Sequence, residues 1–141
     1  GGGWKRGVVL SDAEAGGGLT PHLRSPMKTI LAVIQPTKLK AVREALEKIE
    51  VTRMTVCDAQ GFGRQRGQSG LYRGHEYTAI LLRKIALEIV VNDDFLERTL
   101  ETIASVARTG PEGTIGDGKI FVLPAEDAIR IDDGAQGPGA V

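Results

Sequence analysis

The fold is decided by Ile85-Ala86-Leu87-Glu88-Ile89-Val90-Val91-Asn92-Asp93-Asp94, where an apolar strand passes directly into the start of a helix. The first seven residues are mostly aliphatic or β-branched, which favours a strand that residues 78–82 extend toward the N-terminus. Asparagine and aspartate are preferred helix caps, and acidic groups suit the positive end of the helix dipole. We therefore expect one long strand followed at once by a helix.

Similar patterns on either side predict further elements. Proline cannot donate to a strand ladder but can occupy the first turn of a helix, so Pro36 ends one strand and begins a helix. Apolar residues at three- and four-residue steps mark the buried stripe of each helix. The expected elements are a strand at 30–34, a helix with the stripe Leu39, Val42, Leu46 and Ile49, a strand at 51–57, the long strand at 78–91, a helix with the stripe Leu96, Leu100, Ile103 and Ala107, a strand at 120–123, one helical turn at 125–128 and a short strand at 129–131.

The order β, α, β, β, α, β is that of the ferredoxin-like fold, in the α+β class, with an antiparallel sheet and both helices on one face. Aliphatic residues occupy both registers of the long strand, so we expect another subunit to cover the second face. Residues 1–26, with two triple-glycine runs, predict a flexible N-terminal extension, residues 27–131 the folded domain, and residues 132–141 a disordered tail rich in Asp, Gly, Gln and Pro.

Charge and cysteine content argue against several classes of function. The 141 residues carry 18 basic and 18 acidic side chains, so no global field attracts nucleic acid. The single cysteine, Cys57, excludes an internal disulfide and fits a reducing cytosol, and we expect it to be buried in a strand. Two histidines leave no histidine-rich metal centre. No apolar run approaches the roughly 20 residues needed to cross a bilayer, so we expect no direct membrane insertion.

Two glycine-rich loops carry the candidate chemistry. Residues 61–77 are too long for a tight turn and contain three arginines, and residues 113–119 place Lys119 behind three glycines. Glycine lets a ligand approach the main chain, and arginine offers a planar fork to anions, so Lys119, Arg64 and Arg130 are candidate counter-charges for a phosphate. Neither loop matches the phosphate-loop or dinucleotide pattern, and composition alone favours ordinary turns.

No residue has the setting of a catalytic group. The pair Asp93-Asp94 is explained better as a helix cap than as an acid–base pair, and no nucleophile stands beside an activating base in the sequence. A small enzyme that uses Arg64 and Lys119 on a phosphorylated substrate stays open as an alternative. Nucleic-acid binding through Arg64, Arg66 and Arg73 is disfavoured, because no pattern of stacking aromatic residues accompanies them.

Four motifs occur in a fixed order. They are Gly61-Phe62-Gly63-Arg64-Gln65, Leu71-Tyr72-Arg73-Gly74-His75-Glu76-Tyr77, Leu87-Glu88-Ile89-Val90-Val91 and Gly116-Asp117-Gly118-Lys119-Ile120-Phe121-Val122. In this order and spacing the chain closely resembles the PII nitrogen-regulatory signal-transduction proteins, from Met27 to about Ile131. The resemblance implies a cytoplasmic, non-enzymatic homotrimer of ferredoxin-like subunits.

The same resemblance implies the ligands and the residues that hold them. ATP and ADP would compete for three clefts between subunits, and 2-oxoglutarate would bind beside ATP through a shared Mg²⁺ that Gln65 ligates. The implied adenine and ribose contacts are Thr55, Glu88 and Val90; the implied phosphate contacts are Gly61, Gly63, Arg64, Gln65, Gly116, Asp117, Gly118, Lys119 and, from the neighbouring subunit, Arg130; the implied 2-oxoglutarate contacts are Gln65, Gly67 and Lys84.

Residues 61–77 correspond to the T-loop of the family, the segment that would dock on an ammonium transporter, a nitrogen-assimilation enzyme or nitrogenase. Its start, residues 61–67, would belong to the nucleotide cleft, and residues 68–77 would be a mobile arm that reports occupancy of the cleft. Tyr77 matches the tyrosine that is nucleotidylylated in many bacterial members, which makes a uridylyltransferase a candidate partner.

Three departures from the family pattern bear on these expectations. Asp132 stands where the family commonly has a second arginine near the distal phosphates, so a triphosphate would meet a negative charge. The loop at 109–114 is longer than usual, and His75 replaces a small residue. A PII-like sensor of ADP, AMP or another small anion, controlling carbon or energy metabolism, is therefore the leading alternative.

Overall fold

A computed structural model describes residues 25–66 and 77–141 of the chain, with the backbone only at 64–66 and 77–79. It contains a four-stranded sheet and two α-helices. The elements are β1 (Met27–Ile34), α1 (Leu39–Lys48), β2 (Thr55–Arg66), β3 (Tyr77–Asn92), α2 (Asp93–Ala107) and β4 (Gly118–Pro124), with short 3-10 turns at Pro36–Lys38 and Gly137–Ala140. The predicted order β, α, β, β, α, β is confirmed.

The sheet is antiparallel with the strand order β2-β3-β1-β4. The central pair is β1 with β3, in the register that puts Ile30 opposite Ile89. On the other side of β1, Ile30 faces Val122 of β4. The edge strands are therefore β2 and β4, as the ferredoxin-like fold requires. The predicted α+β fold class is confirmed.

The core lies between one face of the sheet and the two helices. Alternate residues of β1 and β3, such as Ile30 and Leu87, are fully buried and pack with Leu46 of α1 and Ile103 of α2. Burying one such side chain contributes about 1.5–3 kcal/mol. Asn92 is the cap residue of α2, with Asp93 and Asp94 in its first turn, as the sequence predicts.

The opposite face of the sheet carries apolar side chains that neither helix covers. Cross-strand partners share a face, so Leu31 of β1 lies on this outer face together with Glu88 and Phe121. The Phe121 and Leu123 side chains are 49% and 46% exposed. An apolar face left uncovered by the helices is what the aliphatic residues in both registers of β3 predict.

The strand β2 is longer than the sequence predicts. Residues 61–66, expected to be loop, continue β2 and pair with β3 as far as Arg66 opposite Tyr77. Glycine is depleted in strands because it packs no side chain, yet here β3 supplies a continuous ladder that overrides the local preference. Only residues 67–76 of the expected T-loop, and residues 1–24 of the expected extension, lie outside the described residues.

The C-terminal part differs most from expectation. The expected helical turn at 125–128 is wrong, and instead of a strand at 129–131 there is a single bridge between Ile129 and Gln136. The expected disordered tail is instead folded back, because Gly134 and Gly137 adopt positive φ angles that close a turn. Cys57, expected to be buried, is exposed near the start of the edge strand β2. Within the described ranges, none of the helices has the length and apolar character needed to cross a membrane.

Candidate functional site

The most constrained backbone of the described chain is the turn at Gly116–Lys119 before β4. Gly116 and Gly118 have φ angles of 102° and 121°. A Cβ atom at Gly118 would lie 1.9 Å from the carbonyl oxygen of Val33, so only glycine fits against the end of β1. Both glycines are exposed, which leaves their main chain open to a ligand.

Two side chains hold this turn through one carbonyl oxygen. The Lys84 Nζ and the Gln35 Nε2 donate to the Gly116 oxygen at 2.7 Å and 2.8 Å. They converge because Ile34 pairs with both Ile85 and Gly118, which brings the end of β1 and the start of β4 beside the middle of β3. The sequence resemblance identified Lys84 but missed Gln35, whose only signal is a polar residue between a buried strand and Pro36.

The Asp117 carboxylate holds the loop at 109–114 to the turn. Its Oδ2 accepts hydrogen bonds from the backbone N–H groups of Thr109 and Thr114 at 2.9 Å and 2.7 Å. The hydrogen bonds from Thr109 and then from Thr114 lower the pKa of Asp117 to about 2, with a further contribution from the charge of Lys38. These hydrogen bonds tie the longer loop to the turn. The Asp117 carboxylate therefore already has hydrogen-bond partners within its own chain.

Lys119 completes the turn on the outer face of the sheet. It lies opposite Val33, one residue after Gly118, where β4 begins, and its side chain is exposed. An exposed ammonium group beside two glycines with an accessible main chain can bind an anion such as a phosphate. The structure therefore brings Gly116, Gly118, Lys119 and Lys84 into one site.

A second group of predicted residues meets at the β2 edge. Thr55 lies directly opposite Glu88, and Val90 follows on the same face of β3. All three line a cavity of about 550 Å³, a volume within the ~300–1,000 Å³ range of small-molecule sites. Its remaining wall includes Ala140 and Val141 at the C-terminus, which no sequence pattern indicated.

The two groups do not meet within one chain. Thr55 is in β2 and Gly118 in β4, which are the opposite edges of the sheet. Three strand spacings of about 4.8 Å put these edges about 14 Å apart. A ligand that contacts both groups of one chain would have to cross the width of the sheet.

The glycines of β2 differ from each other. A Cβ at Gly61 would meet nothing within 4 Å, whereas one at Gly63 would lie 2.7 Å from Cδ1 of Leu82. Arg64 and Gln65 continue β2, and Tyr77 begins β3, but their side chains lie outside the described part, as does Gly67.

Arg130 is engaged by its own chain. Its Nε and Nη2 donate to the two carboxylate oxygens of Asp132 at 3.0 Å and 2.5 Å. Asp133 lies farther away, with its Oδ1 3.8 Å from the Arg130 Nε. The Arg130 guanidinium is the main cause that lowers the pKa of Asp132. The expected phosphate-binding fork is thus already occupied by a carboxylate.

The described residues do not gather three or more His, Cys, Asp or Glu side chains into a metal-binding group. A Mg²⁺ ion would therefore take its oxygen ligands mainly from a bound polyphosphate and water, which is a donor set that Mg²⁺ accepts.

Comparisons with known proteins agree on one family. The family model described as Nitrogen regulatory protein P-II matches residues 27–135. The nitrogen regulatory protein GlnK1 of Methanosarcina mazei is 50% identical over 115 residues, which are 82% of this chain and 97% of that protein.

Solved structures lead to the same family. A GlnK-ATP complex of B. subtilis has a TM-score of 0.66 and 30% identity, over 82% of this chain and 97% of that one. A structure of Arabidopsis thaliana PII bound to citrate has a TM-score of 0.66 and 37% identity, over 83% and 94%. The similarity thus covers nearly the full length of each of these proteins.

Proposed function

Since the chain belongs to the nitrogen regulatory protein P-II family, we propose that it is a homotrimeric, non-enzymatic signal-transduction protein that senses ATP, ADP and 2-oxoglutarate in the cytoplasm. The observation that carries this proposal is the exposed turn at Gly116–Lys119, where two positive-φ glycines and two lysines converge. Within the turn, the Asp117 carboxylate accepts hydrogen bonds from the backbone of Thr109 and Thr114. The two glycines and two lysines suit the turn to binding a polyphosphate.

The proposed nucleotide cleft lies between subunits. The adenine and ribose contacts Thr55, Glu88 and Val90 lie at one edge of the sheet and the phosphate contacts at the other. Association through the uncovered outer face would bring the β2 edge of one subunit to the β4 edge of the next and bury Phe121 and Leu123. Both considerations support an assembly in which each cleft takes residues from two chains.

The proposed effector site for 2-oxoglutarate lies next to the phosphates. Lys84 donates to the Gly116 carbonyl oxygen, and this position beside the turn supports the pairing of its ammonium group with an effector carboxylate. Gln65 and Gly67 would complete the site, with Gln65 as the protein ligand of Mg²⁺. The similarity to an ATP complex and to a citrate complex supports binding of a nucleotide and of a small carboxylate.

Regulation would act through the T-loop. Its base, residues 61–66, is fixed by pairing with β3, so ligand contacts at Gly61, Gly63, Arg64 and Gln65 would bear directly on residues 67–76. A ligand with different affinity for two loop shapes shifts their populations. The targets that fit are an ammonium transporter, a nitrogen-assimilation enzyme or nitrogenase.

Calorimetry tests the proposal directly. The full chain is titrated with ADP and with ATP, and then with 2-oxoglutarate in the presence and absence of ATP and Mg²⁺. We expect three nucleotide sites per trimer and binding of 2-oxoglutarate only when ATP and Mg²⁺ are present. Absence of nucleotide binding would refute the proposal.

A deletion separates sensing from docking. Removal of residues 68–76 should abolish binding to the target protein and leave the affinity for ADP largely intact, because the paired base of the T-loop remains. Loss of both would contradict the division of the T-loop into a cleft part and an arm. The reference for target binding is the full chain at the same ADP concentration.

A second function is favoured by one observation. Asp132 occupies the Arg130 fork, so the chain has less positive charge to offer a distal phosphate. A PII-like sensor of ADP, AMP or another small anion, with a role in carbon or energy metabolism, fits this pair. In the same titration it would bind ADP or AMP and show no response to 2-oxoglutarate.

A further inference from the structure

A second, smaller cavity lies between the turn that follows α1 and the junction of β3 with α2. It measures about 190 Å³ and takes its lining from both segments. Val51 and Val91 are buried and, with Phe95, give the cavity an apolar interior. Glu50 and Arg53 line it as exposed residues, so charged groups stand at its mouth. An engineered apolar cavity of ~150 Å³ admits benzene, so this one has room for a small organic molecule.

Asn92, which also lines the smaller cavity, has a buried acceptor to offer a ligand. Its Nδ2 donates to the Pro138 carbonyl at 3.4 Å, while its Oδ1 is buried and finds no hydrogen-bond partner within the described part of the chain. An asparagine at a helix cap ordinarily uses this oxygen to bond the first turn, but the Asn92 side chain does not cap α2 in this way. A ligand with an N–H or O–H donor would satisfy an acceptor whose burial otherwise costs stability.

Glu50 is held at the mouth of the cavity in an unfavourable backbone conformation. Its φ angle is 67°, in the left-handed region that favours glycine after a helix. Backbone hydrogen bonds fix it there, from Glu50 N–H to the Glu47 carbonyl at 3.0 Å and from Val51 N–H to the Leu46 carbonyl at 2.9 Å. Residues in such conformations cluster at functional sites. A glycine would form this turn without strain, so the residue present adds a carboxylate at an energetic cost.

The charges of Glu50 and Arg53 are available to a ligand. Among the residues whose side chains are described, neither forms an ion pair. The smaller cavity therefore combines a carboxylate, a guanidinium and one buried acceptor with an apolar interior. This set is complementary to a zwitterion, because a guanidinium binds a carboxylate through two parallel hydrogen bonds and a carboxylate binds an ammonium group.

We propose that the smaller cavity binds a small α-amino acid whose side chain carries a hydrogen-bond donor. Arg53 pairs with the carboxylate of the amino acid and Glu50 with its ammonium group. The Asn92 Oδ1 accepts a hydrogen bond from the side-chain hydroxyl or amide, and Val51 and Phe95 surround the apolar part of that side chain. This function goes beyond nucleotide binding and does not depend on it.

Calorimetry and saturation-transfer NMR on the full chain test the proposal, with L-threonine, L-serine and L-asparagine as probes. Nucleotide is left out, because Arg53 also lines the larger cavity. We expect L-threonine to bind, and L-valine, which has the same shape without the hydroxyl, to bind at least about tenfold more weakly, since it leaves the Asn92 oxygen unpaired. Failure of all three probes to bind, or equal affinity for L-threonine and L-valine, would overturn the proposal.

Two variants locate the site. Glu50→Gly removes the carboxylate and relieves the positive φ angle, so it should unfold at the same or a higher temperature than the parent and yet bind L-threonine at least about tenfold more weakly. Arg53→Ala should lose as much affinity. Glu47→Ala and Lys48→Ala are the matched controls, because both side chains are exposed on α1 and neither lines the cavity. Parent-like binding by Glu50→Gly or Arg53→Ala, or an equal loss in the controls, would contradict the assignment.

Discussion

Arg130 and Asp132 form a two-point ion pair within one short hairpin, with both carboxylate oxygens of Asp132 bound by the guanidinium. Arginine binds carboxylates and phosphates through the same planar fork. A phosphate that reaches Arg130 must therefore displace Asp132 or share the fork with it.

Asp132→Ala should strengthen the binding of ATP several-fold more than the binding of ADP. The physical reason is that removal of the carboxylate frees the guanidinium and also removes a negative charge near the distal phosphate. Calorimetry with both nucleotides gives the ratio. Asp133→Ala is the control, because its Oδ1 lies 3.8 Å from Arg130 and should matter less. An unchanged ratio in Asp132→Ala would contradict the competition.

Lys84 and Gln35 share an acceptor but should differ in function. Gln35→Ala removes one donor to Gly116 and should weaken nucleotide binding by about two- to tenfold, in line with the loss of one hydrogen bond. Lys84→Ala removes the other donor together with the proposed partner of the effector carboxylate. At saturating ATP and Mg²⁺, the lysine variant should therefore lose the calorimetric response to 2-oxoglutarate and the glutamine variant should keep it. Equal loss in both variants would show that Lys84 acts only on the turn.

Gly118→Ala should destabilise the folded domain by at least about 2 kcal/mol, because the new Cβ would clash with the Val33 backbone at a φ angle of 121°. Gly61→Ala is the matched control in β2, where a Cβ meets nothing within 4 Å. Its free energy of unfolding should stay within about 1 kcal/mol of the parent. Urea unfolding of the two variants compares them directly, and equal stability would argue against the close approach of β4 to β1.

The pKa of Asp117 predicts a pH dependence of stability. Its folded value of about 2 lies below the ordinary 3.8, so its contribution is present above about pH 4 and is lost as the pH falls toward 2. The gap in unfolding temperature between the parent and Asp117→Asn should therefore narrow from pH 6 to pH 2. Glu101→Gln, which changes an exposed acidic side chain of α2 outside the turn, is measured beside it as the control. A gap that is constant with pH would contradict the hydrogen bonds to Thr109 and Thr114.

Tyr77 begins β3 opposite Arg66, next to residues 67–76, and we expect it to accept a uridylyl group. Incubation with a bacterial P-II uridylyltransferase and UTP, followed by intact mass measurement, should show one adduct per chain. Tyr77→Phe should show none. If the parent stays unmodified while an established substrate reacts, the expectation is wrong.

The sequence predicted the order of elements because burial patterns are local. The predicted stripe of α1 follows the helical period, with Val42 and Leu46 buried and Leu39 and Ile49 partly buried against the core. In β3, Ile85, Leu87, Ile89 and Val91 are buried at the two-residue period of a strand. The glycine-rich residues 61–66 were predicted to be loop but form a strand, because their pairing with β3 is a contact between distant parts of the chain. Residues 132–141 were predicted to be disordered but fold back through backbone hydrogen bonds such as Arg130 N–H to the Ala135 carbonyl.

The candidate site also combines residues that the sequence indicated with contacts that only the tertiary structure shows. The resemblance to the family indicated Gly116, Gly118 and Lys119, whereas residue types alone favoured ordinary turns. Only the tertiary structure joined Lys84 and Gln35 at one carbonyl oxygen and placed Val141 beside Glu88. The sequence by itself therefore determined the elements and the chemical groups, which depend on neighbours within a few residues. The sheet register and the return of the C-terminus decided which groups meet, because those contacts join residues tens of positions apart.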